Sequence, residues 1–234
     1  MEQKGIKLQK NIIGLFFIVT FSCVLISSCQ SLVYSPSINL PDEIKKDKTN
    51  LIAAYERLPL TSSDEEKNEM NNGFMAALQH SFTNSFMLQA KYWADVNSMN
   101  DGLKFKHGLS LNGFIRLNDS NSPYKFYLSP LVAAAFEENV TLMGVFGASA
   151  SVQTPKFYVF EPFLSVGIFY GSAYHTYYYG NYDGIAIIPN AGAYIPLYGN
   201  LKLYLELSFP AVYYSDFATW ETFLVPTIGF KYGF

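Results

Sequence analysis

The chain has 234 residues, with 16 basic against 19 acidic side chains and a net charge of −3. That balance lacks the basic footprint of a nucleic-acid binder, and no nucleic acid is expected as a partner. Half of the residues are hydrophobic, 17% are aromatic and only 15% are charged, which is too oily and too poor in charge for an ordinary soluble domain.

The first ten residues carry Lys4, Lys7 and Lys10 against Glu2, and an apolar run from Ile12 to Phe21 continues through Val24 and Leu25 to Ile26-Ser27-Ser28-Cys29. A basic start, a short apolar core and small residues before a cut predict a secretory signal peptide over residues 1–28. The run is short for a helix that must cross about 30 Å of hydrocarbon. The tetrapeptide ending at Cys29 resembles the bacterial lipobox. That resemblance implies diacylation of the Cys29 sulfur, cleavage before it and acylation of the new amine. Each acyl CH₂ buried in a bilayer contributes about 0.8 kcal/mol, so several chains anchor firmly. The other cysteine of the two, Cys23, falls in the removed segment. The mature chain is therefore expected to carry no disulfide and no cysteine-based metal site.

Residues 29–49 are polar and interrupted by Pro36 and Pro41, and they read as a lipidated tether. Ten strand-like segments follow, at about 50–59, 73–81, 86–95, 103–117, 124–136, 140–152, 156–171, 184–197, 201–213 and 222–234. The first alternates poorly, so a count of eight stays open. No long amphipathic helix is predicted after the signal. The alternation has period two. Leu201, Leu203, Leu205, Leu207 and Phe209 share one face of the ninth segment, with Lys202, Tyr204, Glu206 and Ser208 on the other. Phe126, Leu128, Val132 and Phe136 oppose Lys125, Tyr127 and Ser129. Phe105, Leu109, Leu111, Ile115 and Leu117 oppose Lys104, Lys106, Ser110, Asn112 and Arg116. In the seventh segment Tyr158, Phe160, Leu164, Val166, Ile168 and Tyr170 oppose Glu161, Ser165 and Gly167. Lipid outside and a narrow polar lumen inside account for these two faces.

Connections after even-numbered segments (82–85, 118–123, 153–155, 199–200) are short and rich in Asn, Ser, Gly and Pro. Those after odd-numbered ones (60–72, 96–102, 172–183, 214–221) read as longer, with 137–139 the exception. Short periplasmic turns and longer outer loops are the asymmetry of a transmembrane barrel. The last segment places Ile228, Phe230, Tyr232 and Phe234 on one face and ends on an aromatic. It resembles the C-terminal strand of bacterial outer-membrane β-barrel proteins. By that resemblance Phe230, Tyr232 and Phe234 form the signal read by barrel-assembly machinery. The likeness covers roughly residues 50–234.

Catalytic groupings are weak. His80 and His107 take lipid-side parity, and His175 falls in an outer loop. His80 and the adjacent Ser81 point to opposite faces, as do His107 and Ser110. This breaks the His/Ser geometry of lipid A deacylases, and no His/Asp/Ser set like that of lipid A palmitoyltransferases is found. Neither a metal, a cofactor nor a catalytic residue is assigned. Lys91, Asp95, Lys104, Lys106, Arg116, Lys125, Glu137, Glu161, Lys202, Glu206 and Lys231 take lumen parity, either as an ion-paired filling or as the wall of a pore. Tyr174, Tyr177, Tyr178, Tyr179 and Tyr182 crowd the seventh connection, as an aromatic belt or as a surface for recognising sugars or proteins. Trp93 and Trp220 are expected in the outer girdle or the upper lumen. Gly144, Gly147, Gly167 and Gly192 fall within strands and are expected to allow curvature or close packing.

The expectation is an all-β, antiparallel transmembrane β-barrel of about ten strands over residues 50–234, behind a signal and a tether. It is expected in the outer membrane, anchored through Cys29, as a structural or surface-binding lipoprotein without identifiable catalysis. Its expected partners are outer-membrane lipids, the barrel-assembly machinery and the lipoprotein-sorting machinery, with any extracellular ligand unspecified. The alternatives are a small pore for polar solutes, or a lipid-anchored soluble barrel that binds an apolar ligand with its oily faces inward.

Overall fold

The computed structural model describes residues 37–59, 70–99, 102–137, 140–175, 180–214, 219–222 and 224–234. Its elements are β1 (Thr49–Pro59), β2 (Met70–Ser81), β3 (Phe86–Met99), β4 (Gly102–Arg116), β5 (Lys125–Glu137), β6 (Val140–Gln153), β7 (Glu161–His175), β8 (Gly180–Tyr198), β9 (Leu201–Ser208), β10 (Ala211–Tyr214), β11 (Thr219–Thr222) and β12 (Val225–Gly233). β1 to β8 pair in sequence, each antiparallel to the next. β8 is long enough to pair with β9 along Asn190–Tyr198 and with β10 along Gly184–Ile187. β9 and β10 are thus one stave interrupted at Phe209 and Pro210. Pro210 brings no N–H to the ladder, and the Phe209 N–H donates to the Pro189 carbonyl at 2.8 Å across the break. β11 and β12 form another interrupted stave, paired with β10 and β9 respectively. β12 also pairs with β1, from Asn50↔Gly233 to Glu56↔Thr227, and this closes a barrel of ten staves.

The faces sort as their period requires. On β12 Ile228, Phe230 and Tyr232 are exposed, while Val225, Thr227 and Lys231 are buried. On β4 Leu109, Leu111 and Ile115 point out, and Ser110, Asn112 and Phe114 point in. On β7 Leu164, Val166 and Ile168 point out, and Phe163, Ser165 and Phe169 point in. The soluble alternative, with oily faces inward, does not match this sorting. Leu205 departs from the expected pattern. It lies in register between Ala193 and Ile228 and is covered there.

Several boundaries differ from expectation. The seventh stave begins at Glu161, not at 156, because residues 154–160 form a turn. Phe157 and Phe160 exchange backbone hydrogen bonds at 2.9 Å, and Tyr158 adopts a φ of 56°. Tyr158 therefore belongs to a turn and not to a stave. At the other end the strands absorb most of the length expected in loops. β3 runs to Met99, β7 to His175 and β8 starts at Gly180, which leaves the connection between Pro59 and Met70 as the long one. The weak first segment is a full stave, with Ile52, Ala54 and Glu56 turned inward. Its poor alternation arises because Ile52 and Ala54 join an apolar cluster inside the lumen.

Glycine marks where staves approach too closely for a side chain. A Cβ built on Gly229 lies 2.3 Å from Ala54 Cβ and 2.4 Å from the Ala53 carbonyl oxygen, at the seam that closes the barrel. Gly229→Ala is expected to destabilise the folded barrel by about 1–3 kcal/mol, read as a lower urea midpoint in detergent micelles.

Candidate functional site

A barrel of about eight strands has an interior that side chains alone can fill. Two more staves widen the lumen, and this chain fills it with its own backbone. Residues 37–44 enter the barrel, with Ser37, Ile38, Asn39, Leu40, Asp42 and Ile44 buried, and the exposed residues 45–47 lead at its turn end to the start of β1. Of the tether expected at 29–49, residues 29–36 lie outside the described residues. The rest is a plug held by the staves, and not a leash outside them.

Each buried polar group on an inserted segment must find a partner or cost free energy. The staves supply partners by backbone at the turn end and by side chain deeper in. At the turn end, the Ser81 N–H donates to the Lys48 carbonyl at 2.9 Å, and the Asp47 N–H donates to the Ser81 carbonyl at 2.8 Å. Arg116 donates to the carbonyls of Ile44, at 3.3 Å, and of Asn84. Lys125 Nζ donates to the Asp42 carbonyl at 2.9 Å, and the Tyr194 hydroxyl donates to the Leu40 carbonyl. Gln79 Nε2 donates to the Asn39 carbonyl at 2.7 Å and to Gln89 Oε1 at 2.8 Å. The Ile38 and Asn39 N–H groups donate to the two Glu206 carboxylate oxygens at 2.8 and 3.3 Å. Deepest in the lumen, Lys91 Nζ donates to the Ser37 carbonyl at 2.8 Å, and the Ser37 hydroxyl donates to Glu56. Asn39 and Asp47 take left-handed φ values of 52° and 63°, a region that Asn and Asp enter more readily than most residues.

Asp42 is the electrostatic centre. Its carboxylate lies 2.6 Å from Lys231 Nζ, 2.6 Å from Lys202 Nζ and 4.0 Å from Lys48 Nζ. Lys202 also pairs with Glu161 at 2.5 Å. Lys231 stands over the Tyr194 ring, 4.7 Å from its centroid, and that ring packs beside Tyr204 and Phe163. Ile38, Leu40 and Ile44 join an apolar cluster with Ile52, Met75 and Phe114. Burying each of these three plug side chains is worth about 1.5–3 kcal/mol.

Of the charges expected inside, Lys91, Arg116, Glu206 and Lys231 are buried, and Lys125, Glu161 and Lys202 are partly buried. The staves also bring Asp95 into register with Lys106, Lys106 with Glu137 and Asn97 with Lys104, although the side chains of these charges lie outside the described residues. Sequence reading missed Asp42 and Glu56. Asp42 sits in a Pro-rich polar stretch with no period, and Glu56 sits in the stave of poorest alternation. Trp93 belongs to the lumen, stacked over Gly108, whereas Trp220 is exposed.

The remaining candidates are scattered. His80 faces outward, its Nδ1 2.8 Å from Thr49 Oγ1 and its ring edge-on to Phe82, while the adjacent Ser81 is buried inside. His107 is exposed and stacks on Phe136. His175 ends β7. No cluster of three potential metal ligands occurs among the described residues. Phe230, Tyr232 and Phe234 line the outer face at the turn end, with Tyr232 and Phe234 edge-on at 5.0 Å. Tyr174 and Tyr182 lie on β7 and β8, in register with Asn181 and Ala173. Tyr177, Tyr178 and Tyr179 lie outside the described residues, as do Cys29 and the signal.

No family model matches the chain, and no curated protein does. Among solved structures it is similar to the outer membrane protease OmpT from Escherichia coli, with 11% identity, 85% of this chain and 100% of that chain covered, and a TM-score of 0.47. It is also similar to Ail, the attachment invasion locus protein of Yersinia pestis, with 9% identity, coverage of 81% and 99%, and a TM-score of 0.30.

Removing one partner from a buried ion cluster leaves the other charges uncompensated, at a cost of about 3 kcal/mol or more. Asp42→Asn is therefore expected to undock the plug while the staves persist. The Ile38 and Asn39 amides, which bond Glu206, should then exchange about a hundredfold faster with solvent deuterium, and amides in the β7–β8 ladder should not change.

Proposed function

We propose that this chain is an outer-membrane β-barrel lipoprotein of structural or surface-presenting kind, without catalysis, whose lumen is closed by its own N-terminal segment. The observation that carries the reading is the outer face. Leu111, Val132, Phe146, Leu164, Ile168, Ile185 and Phe230 lie on six different strands of the ring and are all exposed. An apolar surface that large has a ready solvent in hydrocarbon and none in water. Short turns at 82–85 and 199–200 support a periplasmic placement of that end. Outer-membrane lipids are then the principal partner. Barrel-assembly machinery would read Phe230, Tyr232 and Phe234, and lipoprotein-sorting machinery would handle a chain acylated at Cys29. Tyr174, Tyr177, Tyr178, Tyr179 and Tyr182 would form an aromatic surface at the loop end for a sugar or protein ligand.

A small pore is the second reading. It is favoured by the buried Ser110, Asn112, Tyr127, Ser129, Ser151 and Gln153, each with a lumen atom that has no hydrogen-bond partner among the described residues. Such atoms ask for water. The two readings separate in planar bilayers. The full chain is expected to be silent, and a variant lacking residues 37–46 to conduct. Steady conductance by the full chain would favour the pore. The membrane placement itself is tested by Val132→Arg on the outer face of β5. In a lipid-embedded barrel this should cost about 2–4 kcal/mol of stability in vesicles. An unchanged stability would sink the membrane reading.

A further inference from the structure

The segment that fills the lumen leaves it through a pinned turn. The Lys48 N–H donates to the Lys45 carbonyl at 3.1 Å, and Asp47 holds its left-handed φ between them. The Lys46 N–H donates to Asn84 Oδ1 at 3.0 Å, and the backbones of Asp47 and Lys48 bond that of Ser81. The turn is thus fixed to the connection between β2 and β3, and it holds Lys45 and Lys46 exposed at the rim. Among the described residues neither of these lysines has a carboxylate partner, whereas Lys48 pairs with Glu43 at 3.2 Å and lies 4.0 Å from Asp42.

An open cleft of about 320 Å³ lies at this rim, lined by Glu43, Lys45, Lys46, Asp47, Lys48 and Phe234. At about 30 Å³ for each water displaced, it has room for about ten heavy atoms. Its lining mixes charges of both signs with one aromatic ring. Two ammonium groups without carboxylates attract a phosphate, but a bare anion would also face the carboxylates of Glu43 and Asp47. A group that carries a phosphate and an ammonium matches both signs. Phe234 adds an apolar edge. It is exposed, edge-on to Tyr232 at 5.0 Å, and next to Gly233, which exchanges hydrogen bonds with Asn200 at 3.2 and 3.0 Å. Phe82 and Tyr198 are exposed at the same end. Aromatics in such a ring stand at headgroup depth in a bilayer-embedded barrel.

We propose that this cleft binds the headgroup of a zwitterionic phospholipid from the leaflet at the short-turn end. Lys45 and Lys46 hold the phosphate, and Glu43 and Asp47 face the ammonium. The acyl chains pass over Phe234 onto the oily outer face of β12, where Phe230 and Ile228 are exposed. A free phosphate ester offers the same charges to the cleft but no chains to Phe234. The inference rests on the membrane placement proposed above.

Native mass spectrometry of the full chain released from maltoside micelles decides it, with dimyristoylphosphatidylethanolamine as the probe. Lys45→Gln with Lys46→Gln removes both free ammonium groups and keeps the Lys46 N–H that holds Asn84. Lys156→Gln removes an exposed cation from another turn at the same end. The Kd of the first bound lipid is expected to rise about fivefold in the double variant and to hold in Lys156→Gln. An equal Kd in all three chains, or an equal rise in both variants, would overturn the cleft. Val132→Arg reads the membrane placement by itself, so either reading can fail alone. Soluble glycerophosphoethanolamine is expected to bind about tenfold more weakly than the lipid. Binding as tight as the lipid's, and lost with Lys45 and Lys46, would overturn the lipid as occupant and assign the cleft to a free phosphate ester.

Discussion

Everything inside this barrel depends on the neutralisation of two lysines by one aspartate. Lys231 and Lys202 project into a lumen with little solvent, on adjacent staves. Two ammonium groups brought that close repel, and each loses hydration on burial. Among the described residues Glu161 forms an ion pair with Lys202 alone. Asp42, carried in by the plug, reaches both. Asp42 thus offsets two stave lysines, and the segment holds backbone groups that the staves satisfy.

The inside and the outside of the wall follow different rules. Outside, large apolar residues recur without matched partners, which suits the hydrocarbon surroundings proposed for this face. Inside, each group is matched. Glu206 takes two adjacent amides, Gln79 bridges a carbonyl and Gln89, and the Tyr194 hydroxyl caps Leu40. The one-sided seam of β12 shows both rules on nine residues, with aromatics out and Thr227, Gly229 and Lys231 in.

The wall was legible in the sequence for that reason. Period two survives in Leu109–Ile115 and in Ile228–Tyr232 because the outer face is apolar and the inner face is not, and ten staves could be counted from it. Stave ends were less legible. Residues 96–99 and 172–175 continue their ladders without the oily alternation that marks the other staves, so they read as loop. The plug was not legible at all. Residues 37–48 have no period: they form no strand, with 37–42 and 44 buried among staves on several sides and 43 and 45–47 exposed at the turn end. Their partners, Glu206, Gln79 and Lys91, lie up to 168 positions away. Parity correctly placed Lys202, Glu206 and Lys231 inside, but it carries no information on what they face.

The seam between β1 and β12 also sets an order of events. The plug immediately precedes β1, whereas Lys231 belongs to the last stave, 189 positions later. A chain made from its N-terminus holds Asp42 long before it holds the lysine that neutralises it, and contacts that distant in sequence form late and slowly. Once Asn50 pairs with Gly233 the wall has no opening at its side, and the plug can enter or leave only lengthwise. A segment that already lies across the open sheet before the last stave docks avoids that lengthwise route. The Asp42–Lys231 pair then forms in the same step as the seam, and it rewards closure only around a filled lumen.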